Sequence, residues 1–244
     1  MSSVTTNAER GQPSPQRERA LRPKDAGALI VLDRSGADLR VLMGRRSHRH
    51  VFMPGYLVFP GGRIEAADRH APAASELDPI VEAKLLLEMR ERPSRARARA
   101  IALAALRETY EEAGLVIGER GSPARPVRNG AWRPYVATGV VPALGRLALV
   151  ARAITPPNRI RRFDARFFAV FADAVAATVE PPQDELVEPA WLTFAEARAH
   201  PLAEITRLIF DDLEARLAAD PDLGPDGPVP LHSMRRGRRV REWL

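Results

Sequence analysis

The stretch Arg107-Glu108-Thr109-Tyr110-Glu111-Glu112-Ala113-Gly114-Leu115 decides how this chain is read. Glu108, Glu111 and Glu112 stand at i, i+3 and i+4, so on a helix their carboxylates share one face. Gly114 supplies the stop, since glycine readily takes the left-handed conformation that ends a helix. Three carboxylates on one face repel each other unless a divalent cation, an Arg or Lys, or solvent lies among them. The plain alternative is a solvated helix in which Arg107 pairs with Glu111 for about 0.2–0.5 kcal/mol.

The surroundings shift that balance. Upstream, Val58-Phe59-Pro60-Gly61-Gly62 is an apolar strand end broken by a proline and two glycines. Adjacent glycines let the backbone bend sharply and approach a ligand closely. A glycine turn beside an acidic helix suits a metal bound to a polyphosphate. Mg²⁺ takes oxygen ligands in octahedral geometry, commonly one or two carboxylates plus phosphate oxygens.

Together the two pieces resemble the Nudix box, the signature of the Nudix hydrolase superfamily. Gly62 fits its first glycine, and Arg107 to Leu115 fit its second half. Two departures stand out. Asp68 occupies the position of the first glutamate, and 38 residues separate it from Arg107 where the pattern has seven, an insertion of 31. A box split in this way is similar to an inserted-box subgroup that includes peroxisomal coenzyme A diphosphatases. Phe52-Met53-Pro54-Gly55-Tyr56-Leu57-Val58-Phe59-Pro60-Gly61-Gly62 running into Glu65-Ala66-Ala67-Asp68, and later Arg162-Phe163-Asp164-Ala165-Arg166-Phe167-Phe168, also resemble it.

The resemblance implies an α/β/α sandwich with a mixed sheet, and a helical insertion inside the box near the mouth of the active site. That insertion would shape substrate choice, make a homodimer contact or merely lengthen the scaffold. The implied chemistry is hydrolysis of a diphosphate linkage in a small-molecule nucleoside diphosphate derivative, with coenzyme A or acyl-coenzyme A as the specific candidates, assisted by Mg²⁺ or Mn²⁺. Glu111 and Glu112 would be metal ligands, Glu108 a ligand or the group that orients water, and the Gly62 carbonyl a further ligand. Arg107 would hold a helix carboxylate in place. Gly61, Arg45 and Arg46 would meet substrate, the arginine pair resembling part of a coenzyme A-associated phrase. The general base would come from a downstream loop, where Asp184, Glu185 and Glu188 are candidates and Glu185 is chosen. Arg159, Arg161 and Arg162 would meet phosphate or solvate a turn. His48 and His50 read as exposed loop residues.

Composition bounds the rest. At 244 residues, 45% hydrophobic and 28% charged, the chain reads as one globular domain with embellishments. It has no cysteine, which excludes a disulfide framework, a thiolate metal site and a cysteine nucleophile. That also counts against an isopentenyl diphosphate isomerase, a cysteine-dependent enzyme on a similar scaffold. No apolar run approaches the ~20 residues of a membrane span, and no secretory h-region is present, so a cytoplasmic protein is expected. The net charge is +6, but residues 1–24 carry +3 and residues 235–244 carry +4. The part between is close to neutral, so nucleic acid is not the expected partner. A non-catalytic Nudix-fold module that senses a nucleotide is the alternative function, and the complete set of Glu108, Glu111 and Glu112 argues against it.

Periodicity places the elements. Residues 1–24 read as a disordered basic tail, 25–220 as the domain with its insertion at about 69–100, and 221–244 as a Pro/Gly-rich and then basic tail. Strands are expected over Ala26–Leu32, Leu39–Gly44, Tyr56–Phe59, Leu147–Ile154 and Arg166–Ala172. Helices are expected over Asp78–Arg92, from the Ser94 cap to Ala113, from the capping box at Thr193, and along the stripe from Leu202 to Leu217.

Overall fold

The computed structural model describes residues 21–47, 55–127, 130–157 and 159–244. Its first half holds β1 (Lys24–Asp33), β2 (Arg40–Arg46), β3 (Leu57–Val58), β4 (Gly61–Arg63), α1 (Pro79–Leu86), α2 (Arg95–Ala113) and β5 (Leu115–Arg120). Then follow α3 (Trp132–Ala137), β6 (Val140–Pro142), β7 (Ala148–Ile154), β8 (Phe163–Phe171), β9 (Val175–Thr178) and β10 (Leu186–Thr193). The last elements are α4 (Phe194–Arg198), α5 (Glu204–Ala219), β11 (Pro230–Arg235) and β12 (Arg238–Trp243). One large mixed sheet runs β10-β2-β1-β8-β7-β11-β12, with β3 paired to β2 and β4 to β1; a smaller sheet runs β6-β5-β9.

β1 explains the layering. Its Leu29 and Val31 enter one core and Ile30 and Leu32 the other, all fully buried. Alternate side chains of a strand point to opposite faces, so a strand apolar on both must lie between two layers. On one face sit α1, α2 and α3; on the other α4 and α5 bring Phe194, Ile209, Phe210 and Leu213. Each such side chain contributes about 1.5–3 kcal/mol relative to exposure. α2 lies close against β1: a Cβ on Gly27 would stand 2.2 Å from the Ile101 carbonyl oxygen. Its alanines at 98, 102 and 105 make that approach feasible.

Ser94 caps α2, its hydroxyl accepting from the Arg97 N–H, and Gly114 ends it at φ 68. A Cβ on Gly114 would also strike the Val179 carbonyl oxygen at 2.0 Å, so both conformation and space require glycine. The helix expected over Asp78–Arg92 is shorter: Asp78 caps it and Pro79 opens it, but it stops at Leu86. Glu88 (φ 51) and Glu91 (φ 68) turn left-handed beyond it. The Arg152 guanidinium donates to the Leu87 and Glu88 carbonyls, 2.9 Å each, which fixes that non-helical exit. Arg152 pairs in turn with buried Asp164, and Arg166 links Asp164 to Asp25.

Residues 221–244 do not form the expected tail. β11 pairs parallel with β7 and antiparallel with β12, through a turn whose Arg236 and Gly237 both have positive φ. Val229, Leu231 and His232 are buried, and Asp212 on α5 holds His232 at 2.6 Å and Arg241 at 2.5 Å. The reading of residues 1–20 as a tail lies outside the described residues, as do His48, Arg49, His50 and Phe52–Pro54. Among the described residues no helix is long and apolar enough to cross a membrane.

Candidate active site

The splay of β2 from β1 creates the site. β2 pairs with β1 only around Leu32 and Asp33, and lower down β4 takes its place, Gly27 against Gly62 and Ala28 against Gly61. Phe59 and Pro60 carry the chain across that gap, because β3 still belongs to β2. The glycine turn is thus pressed between β1 and the end of α2. A Cβ on Gly62 would lie 2.3 Å from a Glu108 carboxylate oxygen. The Gly61 N–H donates to the Glu112 carboxylate at 2.9 Å. The two halves of the sequence motif meet despite the insertion between them.

Arg107 organises the carboxylates from below. Its Nε donates to Asp68 at 2.9 Å, Nη1 lies 2.8 Å from Glu111 and 2.9 Å from Glu108, and Nη2 donates to the Arg63 carbonyl at 3.1 Å. Asp68 is fully buried and also accepts from the Trp132 indole at 3.0 Å and the Glu65 N–H at 2.8 Å. Its shorter arm therefore serves to seat Arg107 rather than to reach the cleft. Burial opposes the Arg107 charge, but Asp68, Glu108 and Glu111 outweigh it and raise its pKa.

The acids are less well compensated. Burial, offset in part by Arg107 and reinforced by Glu111 and Glu185, pushes Glu108 up to about 7. Burial and the Glu108 charge push Glu112 up to about 8, the Gly61 N–H opposing them. Burial also raises Glu111, with Arg107 pulling the other way. Among the described residues no Arg or Lys lies within ion-pair distance of Glu112, which is only 2% exposed.

An open cleft of about 1190 Å³ lies over this region, lined by Glu65, Glu108, Glu111, Glu185, Gly61 and Gly62, whereas Glu112 is buried behind the turn and does not line it. Arg46 lines it too, 3.8 Å from Glu185. Arg45 does not; its guanidinium turns to the Gly55 carbonyl at 3.3 Å, because neighbouring residues of a strand face opposite ways. Of the three acids in the downstream loop, Glu185 lines the cleft, whereas Asp184 and Glu188 do not. No residue from 69 to 106 lines it; the insertion packs largely against α2 and reaches the cleft's rim through Glu91, which pairs with the lining residue Arg22 at 2.9 Å. Lys24, Tyr56, Phe167, Gln183 and Arg239 line the cleft and are not among the site residues expected from the sequence. Only the fold brings them there.

Oxygen donors with uncompensated negative charge fit a hard divalent cation in their chemistry. Among the described residues no three acidic or histidine side chains converge at ligand spacing, and Arg107 holds both Glu108 and Glu111. Glu112 is the least neutralised of the three, with Glu108 beside it, and one or two protein carboxylates are what Mg²⁺ commonly takes beside phosphate.

No known family model matches the sequence. Among solved structures, a Nudix hydrolase from Alicyclobacillus acidocaldarius is 25% identical, with TM-score 0.56 over 79% of this chain and 92% of that one. The Nudix domain of Shewanella oneidensis NrtR, complexed with ADP ribose, is 12% identical, with TM-score 0.47 over 81% and 90%. A MutT Nudix hydrolase from Burkholderia pseudomallei is 14% identical, with TM-score 0.45 over 79% and 99%. The first of these carries the assignment: the chain has the α/β architecture of Nudix hydrolases.

Proposed function

We propose that this protein is a metal-dependent hydrolase that cleaves the diphosphate linkage of a nucleoside diphosphate derivative, with coenzyme A or acyl-coenzyme A as the specific candidates. The observation that carries the reading is the meeting of the Gly61–Gly62 turn with Glu108 at the wall of one open cleft, with Glu112 buried directly behind that turn. Glu108 and Glu112 would hold Mg²⁺ or Mn²⁺, with Glu111 and the Gly62 carbonyl available to complete the set. When bound, the ion would neutralise charge developing on the phosphates and acidify a bound water.

The chain's own residues do the remaining work. Arg107 is a positioning residue: it is held by Asp68 and the Arg63 carbonyl, and it fixes Glu108 and Glu111 in the lining of the cleft. Glu185 is the proposed general base, since it lines the cleft from the facing loop and its charge reaches both Glu108 and Glu112. Arg46 beside it would take a phosphate oxygen, and the Gly61 N–H keeps Glu112 in place.

The test is Mg²⁺- and Mn²⁺-dependent turnover of the pure protein on coenzyme A, acyl-coenzyme A, ADP-ribose, NADH and nucleoside triphosphates, with products identified by mass. Release of 3′,5′-ADP and a 4′-phosphopantetheine species establishes the coenzyme A assignment. Cleavage of another diphosphate keeps the chemistry and discards that substrate. Tight binding of one ligand with no turnover of any overturns the hydrolase reading.

A further inference from the structure

The charges lining the cleft are unevenly paired. Glu65, Glu108, Glu111 and Glu185 stand by the glycine turn with Arg46, Arg63 and Arg107 among them; elsewhere along the lining stand Lys24, where β1 begins, and Arg159, Arg161 and Arg162 in the β7–β8 connection. Several arginines among the described residues face a carboxylate: Arg34 with Asp222, Arg99 with Glu76, Arg146 with Asp173 and Arg198 with Glu214. Among the described residues, Lys24, Arg159, Arg161 and Arg162 have none within ion-pair distance. Four cations gathered on one rim without counter-charge leave a positive potential facing the cleft.

Part of this rim is already organised. Arg162 is half-buried, its Nε donating to the Thr155 carbonyl at 3.0 Å and its Nη1 to the Leu21 carbonyl at 2.5 Å. Those bonds leave Nη2 without a protein acceptor among the described residues. The base of the connection is closed by the Thr155 N–H to the Phe163 carbonyl at 2.9 Å and the Phe163 N–H to the Thr155 hydroxyl at 3.0 Å. Ala26, Ala165 and Ala153 stand in register across β1, β8 and β7 and line the cleft. Small side chains in a row leave a trough along which an extended ligand can lie.

Resting on the diphosphate reading above, we propose that this rim is a second anion subsite, in which Lys24, Arg159, Arg161 and Arg162 receive a phosphate monoester that the substrate carries away from its diphosphate. Guanidinium groups match phosphate oxygens in pairs, and a dianion is the ligand that best balances several unpaired cations. Substrates with a terminal phosphate monoester are thereby selected over otherwise identical molecules that lack it.

Matched pairs test this: coenzyme A against dephospho-coenzyme A, and NADPH against NADH. The members of each pair share a diphosphate and differ by one phosphate monoester. With the full-length protein and Mg²⁺, kcat/KM should favour the phosphorylated member of at least one pair by about tenfold or more. In Arg159→Glu/Arg161→Glu, both sites exposed, that ratio should fall to one or below, with circular dichroism showing the fold retained. Ratios near one in the natural protein, or a preference that survives the double variant, overturn the subsite. If no diphosphate is cleaved at all, the hydrolase reading fails separately, and calorimetric binding of the same pairs decides. Tighter binding of the phosphorylated member that the variant abolishes supports the subsite, and equal binding removes it.

Discussion

The Glu112 carboxylate accepts a hydrogen bond from the Gly61 N–H at 2.9 Å across 51 residues of sequence. It is the direct link between the glycine turn and the acidic helix, and it holds a buried charge that no cation among the described residues contacts. Glu112→Gln keeps an acceptor for Gly61 but removes the charge. Turnover should drop by roughly a hundredfold or more, as for loss of one preorganised electrostatic group, while the metal-free protein melts no lower than the natural one at pH 8. A variant that retains full Mg²⁺-dependent activity would remove Glu112 from the metal site.

The same charge predicts a pH dependence of metal-free stability. Folding raises Glu108 from 4.5 to about 7 and Glu112 from 4.5 to about 8. The folded state therefore binds more protons than the unfolded state between those limits, and stability falls as pH rises through them. Their contribution is fully present below about pH 4.5 and gone above about pH 8. In chelator, the thermal midpoint should decline from pH 5 to pH 8.5, more shallowly in Glu112→Gln. Added Mg²⁺ should restore more stability at the alkaline end, since bound ion favours the ionised carboxylates. A midpoint that rises over that range would contradict the burial of these groups.

Gly62→Ala places a methyl 2.3 Å from a Glu108 oxygen, so either the turn or the carboxylate must move. Overpacking of this kind costs about 1–3 kcal/mol, and the displaced Glu108 should lower kcat at least tenfold. Denaturant melts and steady-state kinetics check both. Ordinary stability together with ordinary kcat would show that the turn does not abut the helix.

Asp68 is a buried counter-ion rather than a cleft residue, held between Arg107 and Trp132. Asp68→Asn leaves Arg107 with its other two acids only. Breaking a buried pair from one side costs about 3–5 kcal/mol. Activity should fall with it, since Arg107 would draw more strongly on Glu108 and Glu111. A loss below about 1 kcal/mol by urea unfolding, the range of a surface pair, would show that Asp68 is not the seat of Arg107.

How much of this was legible follows from where each determinant lies along the chain. Helix α2 could be read because its Ser94 cap, its glycine stop and its acidic face are local. β1 could be read because its continuous apolar run is local too. The role of Asp68 could not, because its partners lie 39 and 64 residues away. Arg152 and Arg166 in β7 and β8 are buried because the fold brings Asp164 and Asp25 beside them. The rim of Lys24 and Arg162 is likewise assembled only when β1 and β8 pair in parallel.

The C-terminal hairpin was hidden for a related reason. Arg235, Arg236, Arg238, Arg239 and Arg241 give residues 230–243 the composition of a tail, yet Leu231 is 3% and His232 4% exposed once β7 supplies a partner. Truncation after Pro228 would uncover the β7 edge, strip the cover from Asp212 and remove Val229 and Leu231 from the core. At about 1.5–3 kcal/mol for each buried apolar side chain, the loss should reach about 3 kcal/mol or more. The truncated chain should therefore melt well below the full chain or collect in the insoluble fraction. The comparison needs only calorimetry of the two proteins, and matching melting temperatures would return the segment to a tail.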